Sequence, residues 1–124
     1  MHLVSFITAE DDGTDLIVSF ATYDSEDPED IASLILIRTP KYEHLDDPEE
    51  RGVSVSFERD RSWDEARRVL LEEIRYSQAE QTVEVKSSMQ EYQLDVRKVD
   101  PGEIAAMRGV LRKMNFDNRF RLLV

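Results

Sequence analysis

The side chains best equipped for chemistry in this sequence are carboxylates, and they come in runs. Asp24, Glu26, Asp27, Glu29 and Asp30 crowd one stretch; Glu43, Asp46, Asp47, Glu49 and Glu50 crowd another. An aromatic residue stands ahead of each run, Tyr23 and Tyr42. Carboxylates at this density have three uses. They keep a loop solvated, they steer a basic protein and seat it on the neighbouring ring, or they hold calcium. The calcium reading lacks its ligand spacing: Asp24-Ser25-Glu26-Asp27 is not followed by the glycine at loop position six or the bidentate glutamate at twelve of an EF-hand. The ten acids, with Tyr42, are therefore the candidate partner-binding residues.

Other chemistries find little support. There is no cysteine, so disulfides, thiolate zinc sites and cysteine nucleophiles are excluded. The two histidines are His2 and His44. Tyr42-Glu43-His44-Leu45-Asp46-Asp47 sets an imidazole beside carboxylates, but zinc or copper would want more nitrogen ligands and only His2 remains. A Ser-His-Asp triad would have to use His44, and no Gly-x-Ser-x-Gly elbow accompanies it. The four glycines, Gly13, Gly52, Gly102 and Gly109, are scattered, so no phosphate-cradling loop is spelled out. The sequence predicts no metal and no cofactor. A small hydrolase using paired carboxylates alone, for instance among Glu58, Asp60 and Glu84, stays an alternative; it needs two acids about 5–10 Å apart in a pocket.

Charge narrows the partners. Residues 1–50 hold fourteen acids against Arg38 and Lys41, a balance of −12, while residues 51–124 stand at +1, which gives the net −11 of the whole chain. Such a molecule repels nucleic-acid phosphates and anionic membranes and attracts cationic proteins. Arg108, Arg112 and Lys113, with Arg119 and Arg121, offer a small basic patch, but the overall charge opposes nucleic acid there. The N-terminus, Met1-His2-Leu3-Val4, has neither the basic nor the apolar region of a signal peptide. The longest apolar run, Leu34-Ile35-Leu36-Ile37, is far short of the ~20 residues of a membrane span. A cytoplasmic location is the expectation.

The elements that must position these residues are legible from periodicity. At 124 residues the chain predicts a single domain over residues 1–124, long enough to bury roughly 65–70% of its unfolded surface. Leu3 to Ala9 and Leu16 to Tyr23 read as a hairpin closed by Glu10-Asp11-Asp12-Gly13-Thr14. Ile31 to Thr39 is almost continuously apolar, which predicts a central strand buried on both faces. Val53, Val55 and Phe57 alternate with polar residues, as in a strand with one wet face. Ser62 and Glu65 make a capping box, and Trp63, Ala66, Leu70 and Ile74 follow at helical spacing, so a helix is predicted from Ser62 to Ser77. Trp63, in its first turn, would pack on the sheet. Val83 with Val85, and Tyr92, Leu94 and Val96, predict a second hairpin through Ser87 to Gln90. Asp100-Pro101-Gly102-Glu103 opens a second helix with a buried stripe of Ile104, Met107, Leu111 and Met114. The tail from Asn118 to Val124 reads as a short edge strand. The expected fold is α+β: a mainly antiparallel sheet of about six strands, ordered β-β-β-β-α-β-β-α, with two helices on one face.

This order of features resembles that of small bacterial immunity proteins that neutralise polymorphic toxins, in particular the family called immunity protein ten. The likeness lies in the strand pair split by an acidic turn (Phe6 through Phe20), the apolar strand ending in arginine (Leu34-Ile35-Leu36-Ile37-Arg38), the acidic loop Tyr42 to Glu50, the alternating strand Val53 to Glu58, and the late helix Ile104 to Met114. The resemblance implies an intracellular, non-enzymatic inhibitor that meets its toxin through an acidic surface. It carries over no residue position by position. The expected function is thus an acidic protein-binding module with a basic protein as partner. The alternatives are the small hydrolase and a structural or regulatory subunit that dimerises through a sheet edge or the Met107/Met114 helix.

Overall fold

The computed structural model describes residues 1–59 and 68–124. Chain order begins with a long hairpin, β1 (His2–Asp11) and β2 (Leu16–Tyr23), paired antiparallel. Its turn is built by the acids themselves. Asp12 accepts the N–H groups of Thr14 and Asp15 at 2.9 and 2.7 Å, Asp11 accepts that of Gly13 at 3.1 Å, and Gly13 sits at φ +88°. β3 (Ile31–Arg38) pairs with β2, and β4 (Ser54–Phe57) pairs with β3. Two 3-10 turns, Pro40–Leu45 and Pro48–Glu50, lie between them. β5 (Leu71–Ser77), β6 (Thr82–Ser87) and β7 (Glu91–Asp95) form an antiparallel meander. The helix α1 (Pro101–Met114) and the short strand β8 (Arg121–Leu123) complete the chain.

The eight strands run in the order β4-β3-β2-β1-β7-β6-β5-β8. They fall into two four-stranded halves joined by two short seams. At one seam β1 meets β7 in parallel through His2 opposite Leu94 and Leu3 opposite Asp95. At the other, the outer edge of β4 reaches the start of β5: Val55 N–H donates to the Val69 carbonyl at 2.9 Å and Leu71 N–H to that of Val53 at 2.8 Å. The sheet therefore curls round and meets itself. Phe57 of one half stands edge-on to Tyr92 of the other, 5.6 Å between ring centres, with His2 5.2 Å from Phe57. β8 extends the second half by pairing in parallel with β5 beyond that closure.

The core is the inside of this curl. Val4, Ile7, Val18, Phe20, Leu34, Leu36, Val55, Ile74, Val83 and Leu94 point into it, together with the whole predicted stripe of α1, Ile104, Met107, Leu111 and Met114. That buried stripe leaves Met107 and Met114 no surface through which to dimerise. The helix starts where its sequence says: Asp100 accepts Gly102 N–H at 2.7 Å and Pro101 follows. It runs along β1. Glu103 in its first turn accepts the Ile7 N–H at 2.7 Å, and Lys113 in its last turn reaches Asp11 at 2.7 Å. Ten residues of helix and four of strand both span about 13–15 Å, so the two elements keep step.

Four expectations are corrected. The sheet has eight strands and is mixed, with parallel pairs β1–β7 and β5–β8, where about six mainly antiparallel strands were expected. One α-helix is present among the described residues, where two were expected. Residues 71–77 of the expected helix form β5; Ser62, Trp63 and Glu65 lie outside the described residues. The physical reason is a bulge. Leu71 pairs with Ser87 and Glu73 with Lys86, so Glu72 is an extra residue in the strand. It puts Leu71 and Ile74, three apart, on the same side, and that spacing imitates a helix turn. Lastly, β3 is buried on one face only: Ala32, Leu34, Leu36 and Arg38 face inward, while Ser33, Ile35 and Ile37 are half-buried outside. None of the described helices is long and apolar enough to cross a membrane.

A second bulge, between Val4 and Phe6 in β1, lies just ahead of the Ile7 N–H that Glu103 answers. Replacing Glu103 with Ala leaves this partly buried donor without its acceptor and should cost about 1–3 kcal/mol in urea unfolding. Glu103→Gln keeps an acceptor and should cost less. Hydrogen exchange at Ile7 should quicken in the alanine variant alone.

Candidate functional site

β3 is the axis on which the acidic residues are arranged. Its two ends are about 23 Å apart, at 3.3 Å per residue over seven steps. The 24–30 run precedes Ile31 and the 43–50 run follows Arg38, so the two runs lie at opposite ends of the strand and form no common patch. The first run is a set of local turns: Asp24 accepts Glu26 N–H at 2.9 Å, Asp27 accepts Glu29 N–H at 3.3 Å, and Asp30 pairs with Arg59 at 3.3 Å. Asp24, Glu26, Asp27, Glu29 and Asp30 are all exposed. The second run gains neighbours instead. Leu16 lies opposite Arg38, so the β1–β2 turn comes to the same end, where Thr39 Oγ1 donates to Asp15 at 2.7 Å.

What organises this end is Arg38. Its side chain continues the inward phase of Ala32, Leu34 and Leu36 and is buried, at 2% exposure. Nε donates to Glu43 Oε1 at 2.8 Å, Nη1 to the Met114 carbonyl at 2.7 Å, and the Nη1/Nη2 fork takes both Asp117 oxygens at 2.8 Å. The Phe116 ring lies 4.2 Å from the guanidinium carbon, a stacking that a planar cation favours. Asp117 also accepts from Arg119 Nε at 2.8 Å. Two guanidiniums thus face two carboxylates, and the cluster is neutral. Burial alone would lower the Arg38 pKa; the hydrogen bonds and charges of Asp117 and Glu43 outweigh it and raise it above its ordinary value. The Arg38 hydrogen bonds, against an opposing effect of burial and with help from Arg119, hold the Asp117 carboxyl at about 2.

Arg38 fixes the acidic loop through Glu43. This glutamate is buried, and its second oxygen accepts Gly52 N–H at 2.9 Å. Gly52 adopts φ +139°, a conformation that suits glycine. Three more arginines bind the loop from outside. Arg51 donates to the Asp46 carbonyl, Arg68 to the Asp46 carboxylate at 3.1 Å and the Glu50 carbonyl at 3.0 Å, and Arg119 to the Pro48 carbonyl at 2.8 Å. Glu43 is therefore a pillar under the loop, and Asp46 is paired. Asp47, Glu49 and Glu50 are exposed and form no ion pair with a described residue.

On this pinned loop two apolar side chains stand in water. Tyr42 is 50% exposed and Leu45 75%. Three residues apart in a 3-10 turn, they eclipse one another. Lys41 Nζ lies 5.7 Å from the Tyr42 ring centre. Phe116, 59% exposed, is the third large apolar side chain at this end, stacked on the Arg38 guanidinium. The sequence reading gave Arg38, Phe116 and Asp117 no place in a site, and set Arg119 in a basic patch. A signal existed for Arg38, which keeps the alternation of Ala32, Leu34 and Leu36. None existed for Asp117, 79 residues away.

The other candidates are not assembled. His44 is exposed in the 3-10 turn, and among the described residues no three or more His, Asp or Glu side chains are grouped to hold a metal ion. Glu84 faces outward from β6 in a shallow cleft with Glu73 and Glu91, Glu58 follows the end of β4, and Asp60 is outside the described residues. The expected basic patch is largely paired: Lys113 with Asp11, Arg119 with Asp117, and Arg121 with Glu73 at 3.7 Å. No protein-family model, curated protein or solved structure matches the chain.

Three variants test this anatomy. Arg38→Met should lower unfolding stability by about 3–5 kcal/mol, because it leaves the Glu43 carboxylate buried without its cation. Gly52→Ala should cost about 1–3 kcal/mol, through backbone strain at positive φ. The folded-state pKa of Asp117 lies below its ordinary value, so its contribution is complete above about pH 4 and fades as pH falls towards 2. After allowance for screening at a partly exposed group, about 1–2 kcal/mol of stability should vanish across that window. In Asp117→Asn, urea titrations should show that part of the acid decline missing.

Proposed function

We propose that the Arg38 end of the molecule is a docking surface for a basic protein and that the protein acts by binding. The observation that supports this reading is the exposure of Tyr42 and Leu45 on the turn that Arg38 pins through Glu43, with Phe116 exposed on the same guanidinium and Asp47, Glu49 and Glu50 on the same loop. Aromatic and apolar anchors carry most of the energy of an interface, and carboxylates at its rim attract and orient a cationic partner. The loop is pinned by four arginines, so little ordering entropy is lost on docking. A cationic toxin, as the immunity-protein resemblance implies, is a partner of the right chemistry. On this reading the 24–30 run is solvated loop polarity, because it lies at the far end of β3 and makes its own turns.

The test is capture from host lysate at low salt, release by a salt ramp, and comparison of variants. The wild type should retain a basic protein whose binding weakens steeply with salt, as exposed charges act over a Debye length of about 8–10 Å. Tyr42→Ala combined with Leu45→Ala should weaken that binding by about 30-fold or more, the equivalent of a hot spot of about 2 kcal/mol. Glu26→Lys combined with Glu29→Lys should change it little. If the second pair abolished binding and the first did not, the surface would be misassigned. A column that retains nothing, joined to a concentration-independent dimer in light scattering, would favour the self-associating subunit.

A further inference from the structure

The sheet turns two unlike faces to the outside. In its second half the outward residues are charged or carry an amide: Arg75 lies opposite Glu84, Glu84 opposite Gln93, and Lys86 opposite Glu91. Water suits such a face. In the first half the same outward phase is apolar or hydroxylic. Ile17 lies opposite Ile37, Ser19 opposite Ile35, and Ala21 opposite Ser33. Ser54 and Ser56 continue these rows on β4. Phe6 and Ile31 widen the face, at 44% and 45% exposure. The helix α1 packs on β1 and β2 from the inner side, so it does not cover this one.

In a chain of which 35% is charged, a patch with no charge at its centre is an exception. Charges stand at its rim: Glu10 opposite Ile17, Glu58 past the end of β4 with its N–H on the Ser33 carbonyl, and Lys98, whose Nζ is 5.6 Å from the Tyr23 ring centre. An apolar centre inside a charged rim is the anatomy of an interface. We propose that this face binds the same face of a second copy of the chain, back to back across a two-fold axis, in a weak dimer.

Charge selects this occupant. The centre of the face holds no carboxylate to answer a basic protein, and two copies at net −11 each can touch only where charge is missing. A neutral apolar face is its own complement, as an isologous contact requires. Stacked sheets lie about 10 Å apart with their strands within about 30° of each other. The Ser and Ala positions among the isoleucines leave hollows for the isoleucines of the other copy. Area sets the strength. Four strands at about 4.8 Å and seven residues at about 3.3 Å outline roughly 440 Å² per copy. The pair buries about 900 Å², short of the ~1,200–2,000 Å² of stable complexes, so the dimer should form and dissolve with concentration. Salt should strengthen it by screening the repulsion between copies. No residue of the proposed docking surface takes part, and the salt responses are opposite, so the two readings stand or fall separately.

Sedimentation equilibrium of the full chain, from micromolar to near-millimolar protein at low and high salt, tests the proposal. The dimer fraction should rise with protein and with salt. Amide NMR over the same dilution series should show shifts at Ile17, Ser19, Ile35 and Ser56, and none at Glu84 and Gln93. Ser19→Glu sets a carboxylate in the middle of the face and should weaken association about tenfold or more, because like charges then meet across the axis. Gln93→Glu adds the same charge to the other half and should weaken it less than about twofold. Ser56→Glu, at an exposed position of β4, should act as Ser19→Glu does and serves if that variant fails to fold. A monomer under every condition, association that weakens with salt, or equal effects of Ser19→Glu and Gln93→Glu would overturn it; a monomer would leave the face to an uncharged partner of another kind.

Discussion

A guanidinium withdrawn from water must find acceptors for its N–H groups and a counter-charge for its cation. Arg38 meets that demand by gathering three separate parts of the chain: Glu43 from the loop after its own strand, the Met114 carbonyl from the end of α1, and Asp117 from the segment beyond. Each partner is itself constrained as a result. Glu43 holds Gly52, Met114 marks where the helix ends, and Asp117 draws in Arg119, which binds the loop again at Pro48. Removing Arg38 leaves Glu43 buried without its cation, and removing Glu43 or Asp117 takes a counter-charge from the buried guanidinium, which is why a cluster of this kind acts as a unit.

The curled sheet needs such a fastening. Among the described residues, its halves are joined by a two-residue parallel seam at β1–β7 and a short antiparallel contact between β4 and the start of β5. The core side chains and α1 bridge the interior, and the Arg38 cluster joins the first half to the helix and its C-terminal extension. Apolar burial supplies most of the cohesion and is indifferent to direction. The charged cluster is directional, and it specifies which loop lies beside which helix end.

The same cluster links stability to the surface proposed for docking. Tyr42 and Leu45 stand on a turn whose middle residue, Glu43, is the buried partner of Arg38, and Phe116 stacks on the guanidinium's face. A single buried charge therefore positions the exposed residues of the proposed docking surface. The acids of the 43–50 run divide accordingly: Glu43 and Asp46 hold the loop down, while Asp47, Glu49 and Glu50 face solvent.

Local pattern alone determined much of this protein. The hairpin closed by Asp12-Gly13, the alternation of Val53, Val55 and Phe57, the Tyr92/Leu94 strand, the Asp100-Pro101 helix start and its buried stripe are all set by neighbours a few residues apart, and periodicity reports them faithfully. The acidic imbalance and the absence of cysteine are likewise properties of composition. Three things were decided only by tertiary structure. Bulges in β1 and β5 space inward residues by three, so a strand at 71–77 carried a helical pattern. The sheet order, with its parallel seams, depends on contacts between distant strands that leave no local mark. The role of each acid depends on which arginine reaches it, and the pairs Arg38–Asp117 and Arg119–Pro48 join positions 79 and 71 residues apart. Local spacing encodes which face of an element is apolar; it does not encode which distant charge will be buried beside it, and here that burial separates the acids that hold the fold from those that face solvent.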